Sequence, residues 1–179
     1  MTNELRPLEP PYDADVEAIL KGYPTQNGYL LSLFRTFANS VRFLGGFVPN
    51  HLDEASPLCL RDREIAILRV THNRGCEYEW GVHVAAFSAA AGLDEKDVNA
   101  TCATDNSHWE GKEKRLIDAI DEICAQSTLT EATLKSFQGD WSVEQQLEII
   151  AICGTYSTIS FVANIARLPN EDFAPKFPD

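Results

Sequence analysis

Apolar residues recur along this chain at spacings of three and four, the period of an amphipathic helix. No stretch alternates convincingly with the period of two that a half-buried strand shows. The clearest stripes are Leu30, Leu33, Phe34, Phe37, Val41 and Leu44 in a helix predicted over 28–44, and Ile65, Ile67, Leu68 and Val70 over 60–71. Leu116, Ile117, Ile120 and Ile123 mark a third over 112–126. Gly22 and Pro24 stop a short helix over 13–21, and Gly45-Gly46 end 28–44. The turn residues Asn73-Arg74-Gly75 separate 60–71 from a helix over 76–91, which Gly92 closes. Asp94 with Asp97, and Ser142 with Gln145, give capping-box starts for helices over 94–104 and 142–168. A short helix over 130–137 ends near Gly139. Residues 1–11 are Pro-rich and expected to be extended, and the tail 170–179 either wraps the surface or is disordered. The sum is an all-α bundle of about seven or eight helices in one domain.

Composition changes this picture little. The chain has 179 residues, 44% hydrophobic and 23% charged, which is ordinary for a globular protein with a real core. Its formal charge of −12 argues against nucleic acid as a partner. The start lacks a basic segment followed by an apolar run, so no secretory signal is expected. The most apolar segment, 147–165, is interrupted by Glu148, Thr155, Ser157, Thr158, Ser160 and Asn164. It reads as a buried helix and not as a membrane span. Five scattered cysteines without a C-x-x-C suit neither a disulfide framework nor a zinc site, and suggest a cytoplasmic, reducing home.

The chemistry concentrates in one window. Arg63-Glu64 is followed by Gly75-Cys76-Glu77-Tyr78-Glu79-Trp80-Gly81-Val82-His83. At about 100° per residue, Cys76, Glu79 and His83 share a helical stripe about 60° wide. A thiol, a carboxylate and an imidazole on one face suit a site better than a core. Cys76 opens its helix, where free amides favour a thiolate, although Glu77 and Glu79 oppose it. The plainer reading is a small buried apolar residue. Glu79 stands one turn before His83 and can orient the imidazole and raise its pKa. The alternative is a surface pair of little consequence, but Trp80, Val82 and Phe87 require part of this helix to be covered. Arg61, Asp62 and Arg63 read as a solvated first turn to which Glu64 could belong, yet Leu60, Ile67 and Leu68 place Glu64 at the border of the apolar face. His72 suits a helix C-terminus as a cation and needs no ligand role. His51 and His108 have no supporting pattern. The paired Glu and His three residues apart of di-iron bundles is absent, so no metal is expected. Phosphate loops and a nucleophile elbow are absent too.

These residues resemble the carboxymuconolactone decarboxylase family, which shares its fold with alkyl hydroperoxidase D. The likeness runs from Leu60 to about Val98, through Arg63-Glu64-Ile65-Ala66-Ile67-Leu68-Arg69-Val70, the Gly75–Trp80 segment, His83 and Ala91-Gly92-Leu93. It continues more weakly from Glu113 to Leu168. The resemblance implies an AhpD-like helical bundle over 51–179, with 1–50 as a helical extension packed on the same domain. It also implies a homo-oligomer (dimer, trimer or hexamer) with sites close to subunit contacts. In the peroxidase branch a Glu, a Cys-x-x-Cys pair and a His cooperate; Glu64, Cys76 and His83 take three of these places. The second thiol's place is held by Glu79, which removes the dithiol. A peroxidatic Cys76 would need Cys59, Cys102, Cys124, Cys153 or an external reductant. In the decarboxylase branch a Glu-Trp pair precedes the His, as Glu79-Trp80 and His83 do here. Loss of carbon dioxide from the lactone acid leaves a dienolate-like carbanion that must be reprotonated.

The expectation is therefore an enzyme that needs no cofactor and acts on a small carboxylated or lactone substrate. His83 carries the proton, Glu79 orients it and Glu64 tunes the pocket. Arg74 is a candidate carboxylate clamp, with Trp80 and Tyr78 beside it. A thiol peroxidase centred on Cys76 and a non-catalytic, ligand-binding oligomer are the alternatives.

Overall fold

The structure, a computed structural model, describes residues 6–26, 28–41, 44 and 56–178. Eight helices are bounded within those residues: α1 (Ala14–Leu20), α2 (Ser32–Phe37), α3 (Leu60–Asn73), α4 (Glu77–Phe87), α5 (Glu95–Ala100), α6 (Gly111–Gln126), α7 (Glu131–Asp140) and α8 (Val143–Ile165). The expected all-α bundle is what forms. Both capping boxes are present, Asp94 with Asp97 on α5 and Ser142 with Gln145 on α8.

Two predicted helices are shorter than their apolar stripes suggested. The start of 28–44 is instead the second strand of a hairpin, β1 (Thr25–Gln26) and β2 (Tyr29–Leu30), with Thr25 opposite Leu30 and Gly28 turning the chain at φ 79°. Only then does α2 begin, because Leu31 stays extended at ψ 143°. The Gly45-Gly46 end of that prediction, and His51, lie outside the described residues. The small-residue run after Phe87 is not helical either. Ser88 turns its hydroxyl back to the Val84 carbonyl, and Gly92 at φ 67° reverses the chain.

Helix α3 is the axis of the bundle and packs against α4, α6 and α8. Every residue from Asp62 to Thr71 is buried, so the supposed solvated first turn is enclosed. Burying a charge is costly unless it is paired, and α3 carries four in that span. Asp62 accepts from Lys112 Nζ at 2.9 Å. Arg69 makes a two-pronged bond to Asp121 at 2.6 and 2.7 Å and donates to the Thr101 and Ala103 carbonyls. Arg63 and Glu64 belong to the site below.

The link from α3 to α4 sets that site. Gly75, at φ 59°, donates to the His72 carbonyl at 2.8 Å, and Cys76 N donates to the Thr71 carbonyl at 2.9 Å. This paired closure satisfies the last carbonyls of α3 and needs a left-handed residue, which glycine supplies without steric cost. The chain reverses there and lays α4 back along α3.

The C-terminal tail wraps the far side of α4. Glu77 accepts from Asn170 Nδ2 and, at 3.0 Å, from Phe177 N. Tyr78 Oη donates to Glu171 Oε1 at 2.6 Å, and Phe177 packs on Trp80. A Cβ on Gly81 would collide with the Pro175 carbonyl, so the strap lies against bare backbone. Helix α8 is the one described helix long and apolar enough to cross a membrane, yet Ile149, Ile152, Tyr156, Ile159 and Ala163 are buried in the bundle.

Candidate functional site

Glu64 on α3 and His83 on α4 meet inside the bundle, with His83 Nδ1 donating to Glu64 Oε2 at 2.8 Å. On the other edge of the ring, Nε2 stands 3.5 Å from Glu79 Oε1. Glu64, His83 and Glu79 are 0%, 3% and 5% exposed. Arg63 Nε lies 3.7 Å from Glu64 Oε1. From α8, Tyr156 meets the imidazole edge-on, with ring centroids 5.1 Å apart, and half-buried Phe87 covers it at the same separation.

The electrostatics follow from this enclosure. Burial opposes a charge on His83, but the charges and hydrogen bonds of Glu64 and Glu79 outweigh it and raise its pKa to about 9. At neutral pH the ring is an imidazolium and a proton donor. Its Nδ1 proton is held tightly by Glu64, whereas the Nε2 proton is held loosely at 3.5 Å. Burial, then the negative charges of Glu79 and Glu64, push the Tyr156 phenol well up, with Arg63 opposing. Tyr156 thus stays protonated as well.

A comparison within the molecule separates this cluster from ordinary structural pairing. The Arg69–Asp121 pair, whose aspartate is partly exposed, uses both carboxylate oxygens and recruits backbone carbonyls and Asn73 and Asn106 besides. At the His83 cluster, Glu64 Oε1 and Glu79 Oε2 are buried without a hydrogen-bond partner. Buried polar atoms are nearly always satisfied. Among the described residues, Glu64 Oε1 and Glu79 Oε2 thus stand on either side of one imidazolium without a hydrogen bond of their own, Glu64 Oε1 having only the Arg63 guanidinium at 3.7 Å.

The other predicted residues divide. Cys76 shares the α4 face but is completely buried, and burial, aided by Glu79's charge, raises its thiol pKa to about 11 despite favourable contacts with the Glu79 amide and Ser160. The free amides expected to activate it do not prevail. Trp80 is core: its indole donates to Thr101 Oγ1 at 3.0 Å. Tyr78 faces the tail strap and accepts from Leu33 N at 3.2 Å. Arg74 turns toward α8, donating from Nε to Ser157 Oγ at 2.9 Å with its guanidinium over Phe161. The guanidinium beside Glu64 is that of Arg63. His72 is no C-terminal cation, since burial and then Arg69 lower its pKa.

Sequence reasoning named Phe87 near His83 but missed Tyr156 against the imidazole and Arg63 beside Glu64. Arg63 was hidden in a charged run that looks solvated, and Tyr156 in an apolar helix. A faint signal existed in the polar Thr155, Ser157 and Ser160 that surround Tyr156.

Comparison with known proteins agrees with this architecture. Residues 45–107, which include Glu64, Cys76, Glu79 and His83, match the profile of the carboxymuconolactone decarboxylase family. An uncharacterized peroxidase-related protein from Silicibacter sp. TM1040 superposes with a TM-score of 0.77 at 16% identity, covering 96% of each chain. A protein of unknown function from Agrobacterium tumefaciens, named as a candidate antioxidant defence protein AhpD, superposes with a TM-score of 0.60 at 19% identity. That match covers 66% of this chain and 82% of the other. No curated protein sequence matches significantly. The segment that carries the buried glutamates and histidine is thus similar to the carboxymuconolactone decarboxylase family, and the bundle that holds it has an AhpD-like fold.

Proposed function

We propose that the chain is an acid–base enzyme of the carboxymuconolactone decarboxylase type, acting without a cofactor on a small carboxylated or lactone substrate. The observation that carries this reading is the buried Glu64–His83–Glu79 line, with a spare carboxylate oxygen at each end. When a lactone acid loses carbon dioxide, the electron pair of the broken C–C bond remains on a dienolate. Carbon must then receive a proton. His83, an imidazolium in its resting state, is charged for that step. Glu64 holds Nδ1 and fixes the ring, leaving the Nε2 proton as the mobile one. Glu79, beside Nε2, steadies or relays that proton. Tyr156 adds a second donor and Arg63 a positive charge on the side where negative charge develops.

His83→Gln tests this reading. Carbon dioxide release from carboxymuconolactone is expected to fall to background while far-UV circular dichroism is unchanged. Full turnover in that variant removes His83 from the reaction.

Hydroperoxide reduction through Cys76 is the second reading, favoured by the peroxidase-related and antioxidant names of the two similar structures. The buried, weakly acidic thiol of Cys76 argues against it. Normal hydroperoxide consumption by Cys76→Ser would dismiss it.

The partners we propose are a small-molecule substrate and further copies of the same chain. Val143, Leu147, Ile150, Phe161 and Ile165 are exposed along α8 at helical spacing, with bare Gly154 midway. Such a stripe on a long helix suits a self-complementary contact. Ile150→Asp together with Phe161→Asp is expected to lower the sedimenting mass to that of a monomer. A wild-type protein already monomeric at micromolar concentration overturns the proposal.

A further inference from the structure

The walls around the His83 imidazole are not alike. Glu64 reaches it from α3 at 2.8 Å, Glu79 stands 3.5 Å away one turn earlier on α4, and Tyr156 meets it from α8 with ring centroids 5.1 Å apart. All three are buried. Phe87, one turn further along α4, lies against the imidazole with centroids also 5.1 Å apart and the rings inclined by 40°. It is half-buried, so of these four side chains it is the one that meets solvent.

This difference matters because the resting site is shut. A group that takes a proton from Nε2 must come within hydrogen-bond reach of it, yet His83 is 3% exposed. Glu64 and Tyr156 sit within long packed helices, and Glu79 lies in the first turn of α4 against the core. Phe87 is the last residue of α4, and Ala86, Ala89 and Ala90 beside it are exposed and carry only a methyl group. Its ring therefore has room to turn outward. The backbone beneath it is anchored. Ala91 N donates to the Phe87 carbonyl at 2.9 Å, Ser88 Oγ to the Val84 carbonyl at 2.6 Å, and Arg61 Nη1 to the Gly92 carbonyl at 2.6 Å. Opening is thus a change of side-chain rotamer on a fixed backbone.

We propose that Phe87 is the gate of the His83 site and the wall that determines its specificity: the ring turns outward to admit a small, flat, unsaturated acid or lactone, then closes over it. Closure excludes water, and exclusion of water strengthens the hold of the imidazolium on a developing anion. A flat aromatic wall suits a conjugated dienolate and crowds a bulky, tetrahedral substituent. The choice of substrate rests on the acid–base reading above, whereas the gate is read from the fold.

The test uses deuterium exchange at the C2 carbon of each histidine in the full chain, followed by mass spectrometry. The pH profile of that exchange reads the pKa of each ring, and its plateau at high pH reads access to water. Phe87→Ala is expected to raise the His83 plateau rate about tenfold, because the opened population grows. Phe87→Trp is expected to leave it at or below the wild-type rate, with exposed His108 unchanged in both variants. Equal His83 plateaux in wild type and Phe87→Ala overturn the gate. An equal rise in both variants reports a loosened fold and overturns it too. With carboxymuconolactone as the probe, Phe87→Ala is expected to raise KM more than it lowers kcat, and Phe87→Trp to lower kcat/KM about tenfold. Unchanged constants in both variants overturn the specificity role. A wild-type protein that does not turn over carboxymuconolactone removes the reaction and the substrate choice with it, while the exchange rates still decide the gate.

Discussion

Glu64→Gln removes one negative charge and keeps nearly the same shape. In the native protein His83 is raised from 6.5 to about 9, against burial, by Glu64 first and Glu79 second. Without the Glu64 charge and its 2.8 Å bond, burial regains the upper hand and His83 is expected to titrate near or below 6.5. At pH 7.5 the imidazolium fraction then drops from roughly 97% to roughly 10% or less. At about 1.4 kcal/mol per unit, the native shift is on the order of 3 kcal/mol of stability. Its sign is set by the raised folded value. The contribution is present in full below 6.5 and is lost as pH climbs to about 9. Two measurements check this. Histidine-labelled NMR reads the His83 pKa directly, and urea midpoints from pH 6 to 10 read the linkage. Wild type is expected to weaken across the upper part of that range more than the variant. The variant itself is expected to be less stable at pH 6 by about 3–5 kcal/mol, the cost of breaking a buried pair. A variant His83 that still titrates near 9 would refute the reasoning, as would an unchanged pH dependence of stability.

Further outcomes follow from single contacts. Gly81→Ala drives a methyl group into the Pro175 carbonyl and is expected to cost about 1–3 kcal/mol, read as a lower urea midpoint. Loosened protection of the 170–178 amides in hydrogen exchange should accompany it, and an unaltered midpoint would show that the strap gives way freely. Cys76, buried with its thiol at about 11, should resist iodoacetamide at pH 7.5 until the protein unfolds; alkylation as fast as that of a free peptide contradicts its placement. Tyr156→Phe keeps the ring against His83 and removes the hydroxyl. It is expected to lower turnover by about 10–100-fold, within the range general acids contribute, with the melting temperature little changed. Equal turnover in that variant would confine Tyr156 to packing.

The helical period, the glycine stops and the two capping boxes determined the bundle, because each is a local property of the backbone that neighbours along the chain settle. The same locality placed Cys76, Glu79 and His83 on one face of α4. Which of these matters was decided elsewhere in the fold. Glu64 became a partner of His83 only because Gly75 reverses the chain and lays α4 on α3, a long-range contact that spacing along one helix does not contain. Arg63 carries the same charge in an exposed turn or beside a buried glutamate, and only burial distinguishes the two. Tyr156 lies far along the chain from the motif and is silent in it. Its place beside His83 comes from what is packed against it, through desolvation and neighbouring charge. Local sequence thus specified the elements and the residues available. Tertiary packing decided which proton each one holds.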